Sequence, residues 1–194
     1  MAGAILAVST GLIVGIVIAA IAVLLLLVLV SMYNRLVRLR NRCENAWAQV
    51  DVQLRRRYDL IPNLVEAVKG YAAHERQTFE SVTEARTRAQ QARTVEEQAQ
   101  AENVLTAALG RLFAVAEAYP ELRATENFQQ LQAQLTEVEQ DIAVSRQVYN
   151  DTVLTYNTAI QTVPGVFFAG PFGFSKKDFF EVEGEAREAP RVAF

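Results

Sequence analysis

The chain has 194 residues, 51% of them hydrophobic, with one histidine, one cysteine and a formal net charge of -3. A single thiol cannot make an intramolecular disulfide, and an acidic balance gives no footing for nucleic acid, so neither a cystine framework nor a nucleic-acid partner is expected. The apolar content is unevenly spread, and its distribution organises the whole chain.

The first predicted element is a membrane span. From Ala4 to Met32 nearly every residue is apolar or small, and no charged side chain appears before Arg35. At 1.5 Å per helical residue the run reaches roughly 40 Å, enough to cross a hydrocarbon core of about 30 Å. A secretory signal would show a basic start, a shorter apolar stretch and a small-residue cleavage site, none of which is present; the expectation is a retained anchor with Tyr33 at the interface. Small residues every fourth position, Gly3, Ala7, Gly11, Gly15 and Ala19, form a stripe containing one G-x-x-x-G pattern. Such a stripe either packs against another helix or arises by chance in an Ala-rich segment. Arg35, Arg38, Arg40 and Arg42 crowd the C-terminal flank, and the positive-inside bias then places the bulk of the chain in the cytoplasm.

Behind the span, about 160 residues suffice for one domain with a core. From Arg35 to about Thr162 apolar residues recur at three- and four-residue steps, the mark of amphipathic helices. The first such face carries Leu36, Leu39, Cys43, Ala46, Trp47, Val50 and Leu54 and continues the membrane helix. At Asp59 the chain either turns, with Pro62 in the first turn of a new helix, or merely kinks. The choice fixes where the last helix ends: a turn sends it back to the membrane, a kink leaves it far away. A second seam runs through Leu64, Val65, Val68, Tyr71, Phe79, Val82, Ala85 and Ala89. Thr94 with Glu97 has capping-box form and opens a third helix with Leu105, Leu109, Leu112, Val115 and Tyr119, ended by Pro120. The longest seam, Phe128, Leu131, Leu135, Val138, Ile142, Ser145, Tyr149, Val153, Tyr156 and Ile160, predicts a helix of about 37 residues, a length suited to a bundle. The expected fold is all-α: a transmembrane anchor over 1–34, an antiparallel up-and-down four-helix bundle over 35–163, and a tail over 164–194.

The tail is rich in Pro and Gly, and seven of the ten phenylalanines lie at or after Phe167. These rings need cover. Either they pack back on the bundle, or Phe167, Phe168, Phe172 and Phe174, with Lys176 and Lys177, meet the bilayer interface or a partner.

Reactive constellations are missing from the sequence. His74 has no second histidine near it, and Cys43 lies on an apolar face and reads as a small core residue. Glu96, Glu97, Glu102, Glu137 and Glu139 read as solvated helix faces. The Arg55-Arg56-Arg57 run is either a solvated cap or an anion site, the cap being favoured. No catalytic residue, cofactor or metal ligand is expected.

Several blocks are distinctive together: YNRLVRLRN at 33–41, AWAQVDVQLRRRYDLIPNLVE at 46–66, KGYA at 69–72 with His74-Glu75, YNTAIQT at 156–162, then Phe172-Gly-Phe174 and Phe179-Phe180. Over essentially the whole chain after Gly3 they resemble the LemA family of bacterial membrane proteins. The resemblance implies a single span in the cell inner membrane with the N-terminus outside, a cytoplasmic four-helix bundle and no established enzymatic activity. It offers no catalytic residues to carry over. Family members often occur beside HtpX-type membrane proteases. The functional expectation is a non-enzymatic scaffold that self-associates as a homo-oligomer and organises membranes or membrane-protein complexes, with the lipid bilayer as its first partner. The alternative is an adaptor or regulator of an HtpX-type membrane protease or a sensor.

Overall fold

A computed structural model describes the backbone of residues 2–181 and the side chains of 12–181. The elements in order are α1 (Ala2–Lys69), α2 (Arg76–Gln91), α3 (Val95–Glu117), α4 (Pro120–Arg123), α5 (Glu126–Gln161) and α6 (Gly165–Ala169); among the described residues there is no strand. The all-helical expectation with an apolar N-terminal helix stands.

α1 decides between the alternatives left open at Asp59: the chain does not turn there. It runs without interruption through Pro62, for a reason visible in its surroundings. Proline lacks the N–H that would bond the carbonyl four residues back, here that of Tyr58, and an unpaired interior carbonyl normally helps to break a helix. Arg86 of α2 supplies the missing donor, its Nε reaching the Tyr58 carbonyl at 2.7 Å. The turn comes instead at Gly70 to Glu75, where Ala72 N–H closes on Val68 O and Glu75 N–H on Ala72 O. Four long helical stretches are therefore retained, with their first break about ten residues later than Asp59.

α3 opens as its sequence predicts. The Glu97 N–H donates to Thr94 Oγ1 at 3.1 Å while the Glu97 carboxylate accepts from the Thr94 N–H, a reciprocal capping box. α3 ends at Glu117, and Pro120 stands at the start of the single-turn α4, where its missing N–H costs nothing. α5 buries Phe128, Leu131, Leu135, Val138, Ile142, Tyr149, Val153, Tyr156 and Ile160, the seam read from the sequence, with Ser145 half-buried.

The chain divides into two compact units. The larger, 43–154 with 177–181 among the described residues, is closed by Val50, Leu54, Ile61, Leu64, Val68, Val82, Leu105 and Leu112. Within it Trp47 packs against Tyr149 and Arg56 pairs with Asp141, so α5 descends as α1 ascends. Phe113 of α3 meets Phe128 near the start of α5 edge-to-face.

The smaller unit comprises 1–42 and 155–176. Leu36, Met32, Tyr156, Ala159, Ile160, Ala169 and Phe174 are buried there. Two glycines are required by its geometry. A Cβ on Gly165 would collide with the Ala159 carbonyl oxygen and come within 3.0 Å of Met32 Cε, so α6 is pressed against both helices of this unit. Gly173 adopts φ +73, a left-handed conformation that L side chains rarely adopt, and Phe174 N–H then closes on Ala169 O at 2.8 Å. Gly165→Ala is expected to cost about 1–3 kcal/mol by overpacking and to open Phe167 and Phe168 to chymotrypsin. Gly170→Ala, with nothing within 4 Å of the added carbon, serves as the silent control. Equal cleavage of both variants would show that α6 is not held this way.

Candidate functional site

From Leu12 to Val28 the span contributes no core to the protein. From Leu12 to Val30 every side chain but that of Leu29 is exposed. This is the one helix among the described residues long and apolar enough to cross a membrane. A bare surface of this size in water is unfavourable at about 25 cal/mol per Å², so lipid or another helix must cover it. In the small-residue stripe, Gly15 has nothing within 4 Å of where a Cβ would stand and Ala19 is exposed; the side-chain positions of Gly3, Ala7 and Gly11 lie outside the described residues. Of the flanking arginines, Arg35, Arg38 and Arg42 are exposed, while Arg40 is half-buried with its guanidinium 5.5 Å from the centroid of the Phe174 ring.

The structure separates the aromatic residues expected to act together. Phe167 and Phe172 are exposed and Phe168 is half-buried. Phe174 is buried, its ring edge-on to Tyr33 with centroids 5.8 Å apart. Lys176 is exposed, whereas Lys177 is half-buried with Nζ 3.6 Å from Glu44. The alternation across Phe172-Gly173-Phe174 follows from the left-handed glycine, which sends one ring outward and the next inward.

Sequence reasoning missed the anchoring of Phe180. In the larger unit Asn150 grips both backbone groups of Phe180: its Oδ1 accepts from the N–H at 2.9 Å and its Nδ2 donates to the carbonyl at 3.2 Å. The ring is 1% exposed and stands nearly perpendicular to Trp47 at 5.4 Å. The Tyr149 hydroxyl donates to the Asp178 carbonyl, and burial pushes that hydroxyl's pKa up to about 12, so it stays a donor at neutral pH. The segment is thus held through its backbone, by side chains whose identity carries no distinctive signal in the sequence.

The densest polar chemistry lies where α1, α2, α3 and α5 meet. Arg57 is buried; its Nη1 contacts Glu102 at 2.5 Å, and its Nη2 reaches both Thr106 at 3.0 Å and Glu139 at 2.7 Å. The Tyr58 hydroxyl donates to Glu102, and Gln98 Nε2 bridges the Tyr58 oxygen, Glu102 and the Ala89 carbonyl. Arg57 Nε is buried without an acceptor among the described residues. Burial, reinforced by the Glu102 charge, drives the Tyr58 hydroxyl far above its ordinary range and keeps it protonated. Burial likewise raises Glu139, against the pull of Arg57.

This network corrects two expectations. Glu102 is 2% exposed and Glu139 is half-buried on Arg57; neither is a solvated face. Arg57 is not part of a solvated cap, although Arg55 pairs with Asp51 on the surface and Arg56 with Asp141. Its charge is already met by two carboxylates, which leaves no place for a bound anion. Cys43 is fully buried, with its thiol pKa raised by burial, and His74 lies exposed in the turn after α1.

Residues 46–194 match the LemA family. This chain belongs to the LemA family. Two relatives, magnetosome proteins MamQ 2 and MamQ 1 of Paramagnetospirillum magneticum (strain ATCC 700264 / AMB-1), are each 26% identical over 190 residues, covering 84% of this chain and 70% of their own length. The magnetosome protein MamQ of Magnetospirillum gryphiswaldense (strain DSM 6361 / JCM 21280 / NBRC 15271 / MSR-1) is 25% identical with the same coverage. Within this LemA-family chain the matched region takes in Trp47, the Arg57 network and the Phe180 anchor, while the span lies ahead of it.

Proposed function

We propose that this LemA-family protein is a non-enzymatic membrane scaffold: one span with its N-terminus outside, an antiparallel four-helix bundle on the cytoplasmic side of the inner membrane, and self-association through the span. The observation that carries this reading is the described span itself, whose side chains from Leu12 to Val28 are exposed and whose Gly15 and Ala19 leave room for a second backbone. The four arginines at its C-terminal end support the orientation. The opposed directions of α1 and α5 in the larger unit support the bundle. The relatives carry the name magnetosome protein. The alternative role as adaptor to a membrane protease would draw on Val144, Val148 and Leu154, apolar side chains left exposed along α5.

The experiment is light scattering on the full-length protein in mild detergent. The particle is expected to weigh a multiple of the 21.6 kDa chain after correction for detergent, and Gly11→Leu combined with Gly15→Leu to reduce that multiple. An unchanged mass would remove the span from the assembly. A monomeric native protein would remove self-association altogether.

A further inference from the structure

The smaller unit combines two properties. Its sequence contains five basic residues, Arg35, Arg38, Arg40, Arg42 and Lys176, and not one carboxylate side chain, while the rest of the chain holds fourteen basic against twenty-two acidic residues. It also leaves apolar side chains uncovered on the segment that follows α5: Val163 is 73% exposed and Phe167 67%, with Val166 and Phe172 also exposed.

The position of that segment identifies what covers it. Gly165 is pressed against Met32, and Phe172 stands edge-on to Tyr33 with ring centroids 5.4 Å apart. Met32, the first buried residue after the exposed run of the span, and Tyr33 lie within one helical turn of Val30. The apolar run from Ala4 to Met32 is long enough to cross the hydrocarbon, and Tyr33 with the arginines from Arg35 onward marks its end at the headgroup layer. A segment fixed at that level is continuous with the surface that the bilayer already covers. Aromatic and aliphatic side chains beside a run of arginines fit the interface of an anionic membrane, where rings settle at headgroup depth and basic residues meet acidic lipid.

We infer that Val163, Val166, Phe167 and Phe172, together with Tyr33, form a foot by which the chain following α5 beds into the headgroup region of an anionic phospholipid bilayer. Phe174 is not part of it, since its ring is taken up by Tyr33 and Arg40. The foot gives the protein a second membrane contact, more than 120 residues along the chain from the span, and fixes both ends of the helical domain's chain at one surface. The inference rests on the reading of the N-terminal helix as a membrane span.

The test uses the full-length protein in vesicles of phosphatidylcholine with about one-third phosphatidylglycerol, a surface anionic enough to attract basic residues. Bromine-labelled lipids quench tryptophan according to depth. The Phe167→Trp protein is compared with the unsubstituted chain, whose Trp47 gives the baseline, and with Leu24→Trp as a probe in the span. Shallow-labelled lipid is expected to remove roughly half or more of the emission added by Phe167→Trp, because interfacial side chains sit about 5–10 Å into the headgroup boundary. Deep-labelled lipid is expected to act more strongly on Leu24→Trp. If Leu24→Trp is quenched and Phe167→Trp is not, the foot is overturned and the exposed rings belong to a protein contact. If neither is quenched, the membrane-span reading has failed as well.

Discussion

Arg57→Ala is expected to destabilise the helical domain by about 3–5 kcal/mol, because it strands Glu102 in the core with no compensating charge. For a chain of this length that is a fall of roughly 10 °C or more in thermal midpoint, measurable by circular dichroism on the protein in detergent. The size comes from asymmetry. A buried pair contributes little net stability when intact, because taking both charges out of water offsets their attraction, yet removing one partner leaves the full penalty of the other. Glu139 cannot take over, being itself an acid, and its half-exposed position makes it the easier of the two carboxylates to return to solvent. Arg57→Met combined with Glu102→Leu should recover most of the loss, since neither charge then remains buried, and the difference between the double and summed single effects measures the coupling. A midpoint within about 2 °C of the native value for Arg57→Ala would show that the network is solvated and that the pair is not a buried one.

The network also bears on how the helices find their register. Arg57 and Tyr58 lie on α1, Gln98, Glu102 and Thr106 on α3, Glu139 on α5, and Gln98 reaches the end of α2 through the Ala89 carbonyl. Apolar seams tolerate sliding by a turn, because Leu, Ile and Val can exchange neighbours at small cost. A planar guanidinium with two carboxylates and a hydroxyl cannot slide without leaving a charge unpaired. The polar centre thus specifies one alignment of helices that the seams alone would leave degenerate.

Seams were legible in the sequence because burial on a helix has a period, and Leu131, Leu135, Val138 and Ile142 repeat it without interruption. The capping box at Thr94 was legible for a similar reason: all of its atoms come from four consecutive residues. Pro62 was not, since what carries α1 past it is a donor from Arg86, and nothing near Pro62 in the chain announces that residue. Arg57 and Glu102 failed in the same way. A charged residue on a helix reads as outward-facing unless its partner is known, and these partners are 45 positions apart. In the tail, packing on the bundle and exposure at an interface were read as alternatives; that some rings do one and some the other depends on the left-handed Gly173 and on Asn150 catching a backbone thirty residues away. What sequence periodicity conveys is which face is apolar; which polar group meets which is decided by the assembled structure.

Trp47→Ala is expected to cost about 3 kcal/mol, the lower end of the range for losing a large aromatic side chain, since Trp47 is only half-buried. Its indole packs against two rings, Tyr149 at 5.1 Å and Phe180 at 5.4 Å, so the substitution opens a gap between α5 and the C-terminal segment rather than within a single helix pair. The loss should therefore be uneven. Beyond a lower thermal midpoint, the amide of Phe180, which donates to Asn150 in the native protein, should exchange with solvent about tenfold faster or more, because each 1.4 kcal/mol lost from local opening is a factor of ten. Amides in the middle of α3, whose core residues Leu105 and Leu112 lie in the same unit but stack on neither ring, should follow only the global change. Trp47→Phe, which keeps an aromatic face for both partners, should restore most of the protection at Phe180. Uniform acceleration across all amides would mean that Trp47 supports the domain as a whole and holds the tail only incidentally. An unshifted midpoint with unchanged exchange would mean that the indole faces solvent and that Phe180 is held by Asn150 alone.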